Sequence, residues 1–312
     1  MIETQTRITI KDLDKVGSRA NDIQMNDKEF RLFRDLVYQN SGISLADAKK
    51  TMLHSRLQKR LRFHNLSSFS TYYELILSRS YEGDELREMI NCVTTNKTDF
   101  FRESHHFEFV EETILPEIIA ASATAGESRK LRVWHAGCST GEEPYSLAMV
   151  LRDSLKSNID RWDIRQLASD IDTNVLEHAK AGVYERDRFE QVPLKYRSQS
   201  FLTGTGERSA YVKIKSELLD MVTFRQINLL DPVWPIQSEV RFDAVFCRNV
   251  VIYFDKPTQR TLFARFHKLL RPGGYLIIGH SESLLGVSTD FESLGHTIYR
   301  KSESGDIHSE KV

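Results

Sequence analysis

One segment near the middle of the chain combines glycines and acids in an order typical of a ligand site. Residues 133–144 read VWHAGCSTGEEP, so an apolar strand is followed by Gly137, Gly141 and a helix start at Glu142-Glu143. Glycines let a ligand approach the backbone closely, and a helix start offers free N–H groups. Because the two acids oppose a phosphate at that start, the segment favours a cationic ligand such as S-adenosylmethionine over NAD. A tight turn followed by acids that suit a helix start is the alternative.

An acid also stands at the end of the next predicted strand. Asp170 follows residues 165–169, where a carboxylate can accept hydrogen bonds from both ribose hydroxyls of an adenosine. Asp172 or Thr173 is the simpler cap for the following helix, and for an isolated Asp170 capping is the simpler explanation too. The glycine-rich turn beside it in the sheet shifts the prediction toward an adenosine site.

Two further strand ends bring polar residues to the same edge of the sheet. Asn228 and Leu229 follow the third predicted strand, and Arg248 and Asn249 follow the fourth. Ligands of open α/β sheets bind outside the carboxyl ends of the strands. We expect Asn228 and Leu229 to bracket an adenine, and Arg248 and Asn249 to face the methionine end of the ligand. A buried Asn249 that bonds only the backbone is the alternative.

A polar segment lies where the character of the chain changes. Residues 94–102 read TTNKTDFFR, so polar side chains and Arg102 surround two aromatic residues. Such a segment can close over a bound ligand. The alternative is a linker that packs through Phe100 and Phe101.

Composition excludes several classes of protein. The chain has 312 residues and a net charge of -1, from 43 Lys and Arg against 44 Asp and Glu, which argues against a nucleic-acid or anionic-lipid binder. No apolar run approaches the ~20 residues of a membrane helix, and the N-terminus lacks the form of a signal peptide. The three cysteines are far apart, and the His105-His106 pair has no partners at metal-ligand spacing. We therefore expect a cytoplasmic protein without membrane insertion and without a metal site.

The order of predicted elements divides the chain. The predicted parts are a loose tail over 1–25, a helical domain over 26–95, a larger domain over 96–302 and a polar tail over 303–312. Predicted helices of the helical domain cover 27–40, 45–63, 68–79 and 82–93. The larger domain opens with a helix over 104–123 and continues with strands over 131–136, 165–169, 221–227, 242–247, 275–279 and 297–301, separated by helices over 144–155, 174–180 and 257–270. This alternation predicts an α/β fold with a mostly parallel sheet, and residues 192–217 predict an inserted β ribbon.

The second predicted helix is strongly basic. Its cations are Lys49, Lys50, His54, Arg56, Lys59, Arg60 and Arg62, while apolar residues recur three or four apart along its other side. In a nearly neutral protein this concentration leaves a local positive field that suits an acidic partner. From these residues alone, a merely solvated helix face is the better interpretation.

Several groups of residues resemble, in the same order, the CheR-type chemotaxis receptor methyltransferases. They are Asn96-x-Thr98-x-Phe100-Phe101-Arg102, the loop over 136–145, Ala168-Ser169-Asp170-Ile171-Asp172, residues 246–254 (FCRNVVIYF), and Leu269-x-x-Pro272-Gly273-Gly274 with Gly279-His280-Ser281-Glu282. The match runs from about Phe30 to Lys301. The resemblance implies a Rossmann-like S-adenosylmethionine-dependent methyltransferase sheet with a small all-helical N-terminal domain and an inserted β subdomain.

The resemblance also implies a reaction and its partners. It implies a protein-glutamate O-methyltransferase that forms γ-glutamyl methyl esters on the cytoplasmic domain of methyl-accepting chemotaxis proteins, for chemotactic adaptation, and releases S-adenosylhomocysteine. In some family members the inserted ribbon docks a short peptide from the receptor C-terminus. This chain keeps Gly204-Thr205-Gly206 but has Ala210 where the tethering form has a glycine. We expect a monomer.

Family roles carry over to matching positions of this chain. The implied cofactor contacts are Asn96, Thr98, Arg102, Ala136, Gly137, Glu143, Asp170, Asn228, Leu229, Arg248 and Asn249. Arg102 and Tyr253 match the positions beside the transferred methyl, and the receptor is implied to meet Lys50, His54, Arg56, Lys59 and Arg60. Two other classes stay open, an NAD- or nucleotide-dependent enzyme and a non-catalytic adaptor that binds S-adenosylmethionine as a signal.

Overall fold

The computed structural model describes residues 23–78, 84–124 and 129–301. Most of the tail predicted over 1–25, all of that over 303–312 and the start of the helix predicted at 82 lie outside these ranges. None of the helices in the described ranges combines the length and the hydrophobicity required to cross a bilayer.

The N-terminal part of the described chain is all-helical, as predicted. Its helices are α1 (Asp27–Ser41), α2 (Lys50–Phe63), α3 (Phe69–Leu77) and α4 (Asp84–Val93). Asn26 begins α1 with a reciprocal capping box to Glu29, and Gly42 ends it in the left-handed conformation with φ 70°. The helix predicted from 45 begins later, because a short 3-10 turn over Asp47–Lys49 precedes α2.

A charged cluster lies inside this helical part. The Glu85 carboxylate is buried and accepts hydrogen bonds from the Arg60 guanidinium, at 2.9 Å from Nε, and from the Tyr72 hydroxyl at 2.7 Å. His64 lies 2.8 Å from the same carboxylate. Burial alone would raise the pKa of Glu85, but these partners lower it below its usual range. The Arg60 side chain is therefore held against the helical part, with 14% of its surface exposed, and its assignment as a receptor contact remains a prediction.

The larger part is an α/β fold around a seven-stranded sheet, as predicted. The strands are β1 (Lys130–Ala136), β2 (Asp163–Asp170), β6 (Val222–Gln226), β7 (Phe242–Cys247), β8 (Leu270–Ile278), β9 (Phe291–Gly295) and β10 (Ile298–Lys301). Their order is β6-β2-β1-β7-β8-β10-β9; the first five are parallel, and β10 pairs antiparallel with both β8 and β9. The edge strand β9 was not predicted. Its burial pattern is mostly exposed, so it lacks the apolar run that marks the inner strands.

Helices cover both faces of the sheet. They are α5 (His105–Phe109), α6 (Leu115–Thr124), α7 (Glu142–Leu155), α8 (Thr173–Ala181) and α12 (Lys256–Leu269). A π-helical turn over Val110–Ile114 joins α5 to α6. Along β1, Leu131 and Val133 enter one apolar core, while Trp134 and Ala136 enter the other. Because the inner strands are buried on both faces, their sequences are nearly continuous apolar runs.

A small antiparallel sheet is inserted in the larger part. Its strands are β3 (Val183–Glu185), β4 (Phe201–Thr203) and β5 (Tyr211–Ile214), in the order β3-β5-β4, with the short helices α9 (Arg186–Glu190), α10 (Leu194–Ser200) and α11 (Ser216–Leu219). The ribbon predicted over 192–217 contains β4 and β5, but β3 lies upstream of it. A strand of three residues is too short to show alternation, so the sequence did not mark it.

The predicted domain limits, 26–95 for the helical domain and 96–302 for the larger domain, remain predictions.

We expect Arg60→Met to lower the free energy of unfolding of the helical part by about 3 kcal/mol, because Glu85 would lose its main cationic partner while staying buried. Lys59→Met is the matched control, since Lys59 is an exposed neighbour on the same helix and its loss should cost less than about 0.5 kcal/mol. Guanidinium denaturation followed by circular dichroism measures both. Equal effects of the two substitutions would show that the Glu85 cluster does not stabilise the fold.

Candidate active site

A deep cleft opens at the carboxyl ends of β1, β2, β6 and β7, with the helical part on its other side. Its cavity is about 600 Å³. All residues predicted to bind the cofactor line it except Ala136, and Tyr253 and Arg56 line it as well. Ala136 is buried in the core beneath, with 1% exposure. The structure thus brings the predicted residues together from residues 94–103 (the junction segment), the glycine-rich loop after β1 and the ends of β2, β6 and β7.

The loop after β1 is shaped by close packing. Gly137 has φ 98°, and a Cβ there would lie 2.3 Å from Cγ2 of Val250, so a side chain does not fit. The Gly137 and Cys138 N–H groups donate to the carbonyl of Ser169, at 2.8 and 2.9 Å. Ser139 N–H donates to Oδ2 of Asp170 at 2.9 Å. These N–H groups are therefore occupied by the protein itself, and the loop does not form a phosphate cradle.

Asp170 and Asp172 have different roles. Asp170 accepts backbone N–H groups from Ser139 on Oδ2 and from Asp172 on Oδ1, and burial raises its pKa to about 6. Asp172 is the cap of α8, since it accepts the N–H of Asn174 at 2.9 Å. Its other oxygen accepts the amide of Asn96 at 2.7 Å. The capping alternative therefore applies to Asp172, while the Asp170 carboxylate faces the cleft.

A buried arginine joins two acids at the floor of the cleft. The Arg248 side chain is 3% exposed; its Nη1 donates to Oε2 of Glu143 at 3.0 Å, and its Nη2 lies 3.4 Å from Oε2 of Glu103. Burial opposes ionisation of Glu103, but His280 and Arg248 lower its pKa to about 2. Glu143 is 13% exposed; desolvation opposes its ionisation too, yet hydrogen bonds from His135 and Arg248 hold its pKa below the usual range. Both acids are thus ionised at neutral pH.

Sequence reasoning missed Glu103 and His280. Glu103 accepts the His280 ring nitrogen Nδ1 at 2.7 Å, which ties the junction segment to the loop after β8. In the sequence, these two residues could have been found only from their neighbours, because Glu103 follows Arg102 and His280 belongs to the Gly279–Glu282 motif.

The junction segment packs against the larger part through its aromatic rings and also lines the cleft. The Phe100 ring contacts Tyr184 edge-on with centroids 4.9 Å apart, and the Phe101 ring stacks on Tyr196 at 5.0 Å. Arg102 lies between them and the cleft, where its Nη1 donates to the carbonyl of Lys97 at 3.0 Å. Packing through the two phenylalanines, the alternative from sequence, therefore fixes where Arg102 stands.

The remaining strand ends connect the two parts of the chain. Asn228 donates from Nδ2 to the carbonyl of Asn40 at 2.7 Å, and the N–H of Ser44 donates to the carbonyl of Tyr253 at 2.8 Å. Asn249 has φ 59°, and its N–H donates to Glu282 at 2.9 Å. These bonds hold the end of α1 and the turn after it against the cleft.

The basic residues of α2 separate into different environments. Arg56 donates to the carbonyl of Thr94 at 2.8 Å and to Oγ1 of Thr95 at 3.0 Å, so it braces the junction segment. Lys50 pairs with Asp27 at 2.5 Å, and the His54 ring nitrogen lies 2.8 Å from the carbonyl of Ile23. Of the predicted receptor contacts, Lys59 is exposed, whereas Lys50, His54, Arg56 and Arg60 are partly buried.

Metal ligation is not indicated by the described ranges. Within residues 23–78, 84–124 and 129–301, no group of three or more His, Cys, Asp or Glu side chains is arranged to hold a metal ion.

Comparison with known proteins identifies the family. Residues 28–94 match the family model described as "CheR methyltransferase, all-alpha domain", and residues 96–300 match "CheR methyltransferase, SAM binding domain". The chain is 43% identical over 274 residues to "Chemotaxis protein methyltransferase 2" of Pseudomonas aeruginosa, which covers 87% of this chain and 92% of that protein. It is 40% identical over 281 residues to "Chemotaxis protein methyltransferase" of Escherichia coli, covering 90% and 93%. With both of its parts matched in order, the chain belongs to the CheR methyltransferase family.

Proposed function

We propose that this protein transfers the methyl group of S-adenosylmethionine to glutamate side chains on the cytoplasmic part of chemoreceptors, in the cytoplasm. The relatives are named chemotaxis protein methyltransferases, and one matched family domain is described as SAM-binding. The observation that carries the proposal is the cleft itself. It offers the buried acids Asp170 and Glu143 and uses its loop N–H groups internally, which suits a cationic nucleoside and disfavours a nucleotide.

The residues of the cleft fit S-adenosylmethionine. The cavity of about 600 Å³ lies within the usual range of small-molecule sites, about 300–1,000 Å³. We assign Asp170 to the ribose hydroxyls and Asn228 with Leu229 to the adenine. Glu143 is assigned to the cationic ammonium at the methionine end, beside Asn96 and the other polar residues of the cleft. Glycine is required at position 137, because a side chain there would collide with Val250 and push the loop out of its position beside the ligand.

The chain's own residues then need only to position charge. When bound, S-adenosylmethionine supplies a methyl group on a sulfonium, and the acceptor is a glutamate that is already ionised at neutral pH because its usual pKa is about 4.3. A general base is therefore not required. Arg102, whose guanidinium carries only hydrogen-bond donors, orients the acceptor carboxylate, while Tyr253 supplies a hydrogen bond and one wall of the channel. Since opposite charges cancel in this transfer, a cleft that excludes water and aligns the groups favours it.

The cationic side of the cleft suits an acidic receptor helix. Lys49, Arg56 and Lys97 line the cleft from the helical part and the junction segment, and Lys59 is exposed further along α2. Methylation removes a negative charge from the receptor, so this surface should hold the product less tightly than the substrate. Docking of a receptor C-terminal peptide on the β4–β5 ribbon and a monomeric state remain predictions, and Ala210 is the departure that bears on peptide docking.

The proposed activity predicts that the purified protein transfers tritiated methyl from S-adenosylmethionine to receptors in membranes. Alkali should release the label as volatile methanol, because methyl esters hydrolyse readily in base. Membranes lacking chemoreceptors are the control. Tight binding of S-adenosylmethionine without any base-labile label on the receptor would favour the non-catalytic adaptor instead.

Arg102→Ala should lower the turnover rate roughly 100-fold, because the acceptor carboxylate loses its orienting partner. Lys97→Ala is the matched control, since Lys97 is a neighbouring exposed cation of the same cleft and its loss should change turnover only a few-fold. Initial rates at saturating cofactor measure both. Full turnover of Arg102→Ala with unchanged cofactor affinity would exclude the assigned role.

The affinity for S-adenosylmethionine should fall as the pH drops below about 6, by up to about tenfold per pH unit, because protonation of Asp170 removes a ribose acceptor. Asp170→Asn should bind weakly at every pH and lose most of this dependence. Asp163→Asn, at the opposite end of the same strand, is the control and should behave as wild type. Calorimetry from pH 5 to 8 tests this; an unchanged pH profile in Asp170→Asn contradicts it.

A further inference from the structure

A histidine beneath the cleft has no role in the function described so far. His135 lies in β1 and is completely buried, with its ring stacked near Phe246 at a centroid distance of 5.1 Å. Its Nδ1 lies 2.8 Å from Oε1 of Glu143, and its Nε2 lies 2.9 Å from the side-chain oxygen of Gln166. Both ring nitrogens are thus engaged, one with a cleft acid and the other with an amide in β2.

The amide of Gln166 indicates which ring nitrogen carries the proton. Nδ1 faces a carboxylate, which only accepts, so Nδ1 must donate. Among the described residues, Nε2 of the Gln166 amide has no hydrogen-bond partner, although it is buried. Turning this amide by half a rotation gives its NH₂ group an acceptor in the His135 ring, and the two orientations differ only in which atom is called O or N. In this amide orientation Nε2 of His135 accepts and Nδ1 donates, which is the Nδ1–H tautomer of the ring.

The carboxylate of Glu143 is held by two donors from different strands. Oε1 accepts from His135 in β1, and Oε2 accepts from Arg248 after β7. The other charged or titratable groups around them are Glu103 on the far side of Arg248, Asp170 at the end of β2, and the thiols of Cys138 and Cys247. Burial raises the pKa of both thiols well above its ordinary value, so they stay neutral. His135 is therefore the donor that fixes the second oxygen of Glu143.

We propose that His135, in the Nδ1–H tautomer set by Gln166, is a positioning residue that holds the Glu143 carboxylate turned to the ammonium end of the cofactor. The inference rests on the proposed function, since it assigns Glu143 to S-adenosylmethionine. His135 does not touch the reacting atoms. It acts through Glu143, whose buried charge needs two hydrogen-bond donors to remain favourable.

Loss of the Nδ1 donor has a defined consequence. Burial opposes ionisation of Glu143, and the hydrogen bond from His135 is the first of the contacts that lower its pKa. Without that bond, the pKa of Glu143 rises and the carboxyl group begins to take up a proton as the pH falls toward neutrality. Cofactor affinity then weakens, and it weakens further on acidification in a pH range where the wild-type carboxylate is fully ionised.

The experiment compares three substitutions at one position. His135→Leu removes both ring nitrogens at similar volume, His135→Asn retains an amide donor near the Nδ1 position, and His135→Gln places its amide near the Nε2 position. His267→Gln is the matched control, a partly buried histidine on α12 away from the cleft. Calorimetry with S-adenosylmethionine from pH 6.5 to 8, thermal melting of the ligand-free proteins, and ¹⁵N NMR of labelled histidines supply the readouts.

We expect His135→Leu to weaken cofactor binding roughly 10- to 100-fold at pH 7.5, with a larger loss at pH 6.5. His135→Asn should recover most of the affinity and His135→Gln little of it, and His267→Gln should bind as wild type. In the wild-type spectrum, the resonances absent from His135→Asn should be those of a neutral ring protonated at Nδ1. This signature is read on the ligand-free protein and does not depend on activity.

Two results would overturn the inference. One is a ring protonated at Nε2, or at both nitrogens, at neutral pH. The other is equal affinity and equal pH dependence in His135→Asn and His135→Gln. If His135→Leu does not fold, the Asn and Gln variants and the wild-type spectrum still decide. Failure of the wild-type protein to bind S-adenosylmethionine would instead refute the proposed function, and the tautomer measurement would stand by itself.

Discussion

The cleft depends on one buried charge, the guanidinium of Arg248. A buried cation is costly unless carboxylates and carbonyl oxygens contact it, and here Glu143, Glu103 and the carbonyl of Arg102 lie against its two Nη atoms. These partners come from α7 and from the junction segment, while Arg248 itself follows β7. One electrostatic requirement therefore fixes the relative positions of three segments that are far apart in the sequence. It also leaves Glu143 ionised at the floor of the cleft.

The same network holds backbone conformations that are costly by themselves. Phe101, Glu103, Ser139 and Asn249 are non-glycine residues with φ between 48° and 59°, and all four lie around the cleft. Such conformations persist where surrounding contacts over-determine them. Phe101 and Glu103 are fixed by a ring stack and by Arg248, Ser139 by its bond to Asp170, and Asn249 by its bond to Glu282. The contacts that hold these four backbone conformations are thus the same contacts that position the polar side chains of the cleft.

Much of the fold followed from local patterns, and the parts that did not are those decided by distant contacts. Inner strands such as β7 are buried on both faces and show in the sequence as apolar runs, and Gly42 marks the end of α1 through its left-handed backbone. The exposed edge strand β9 and the three-residue β3 carry no such pattern. The sequence does not show that Arg60 and Lys59 have different environments. The difference arises because the Arg60 guanidinium binds Glu85, which lies 25 residues further along the chain. Glu103 was missed for the same reason, since its partners His280 and Arg248 are distant in sequence.

Charge in the cleft is divided between the two parts of the chain. Acids come from the sheet, with Asp170 at the end of β2 and Glu143 at the start of α7, whereas Lys49 and Arg56 come from the helical part. The lining of the cleft comes from both parts of the chain, so the contacts that join them, such as Ser44 to Tyr253 and Asn228 to Asn40, are part of the site. Local charge of this kind attracts a group of the opposite sign even in a nearly neutral chain, because it requires no net field over the whole surface.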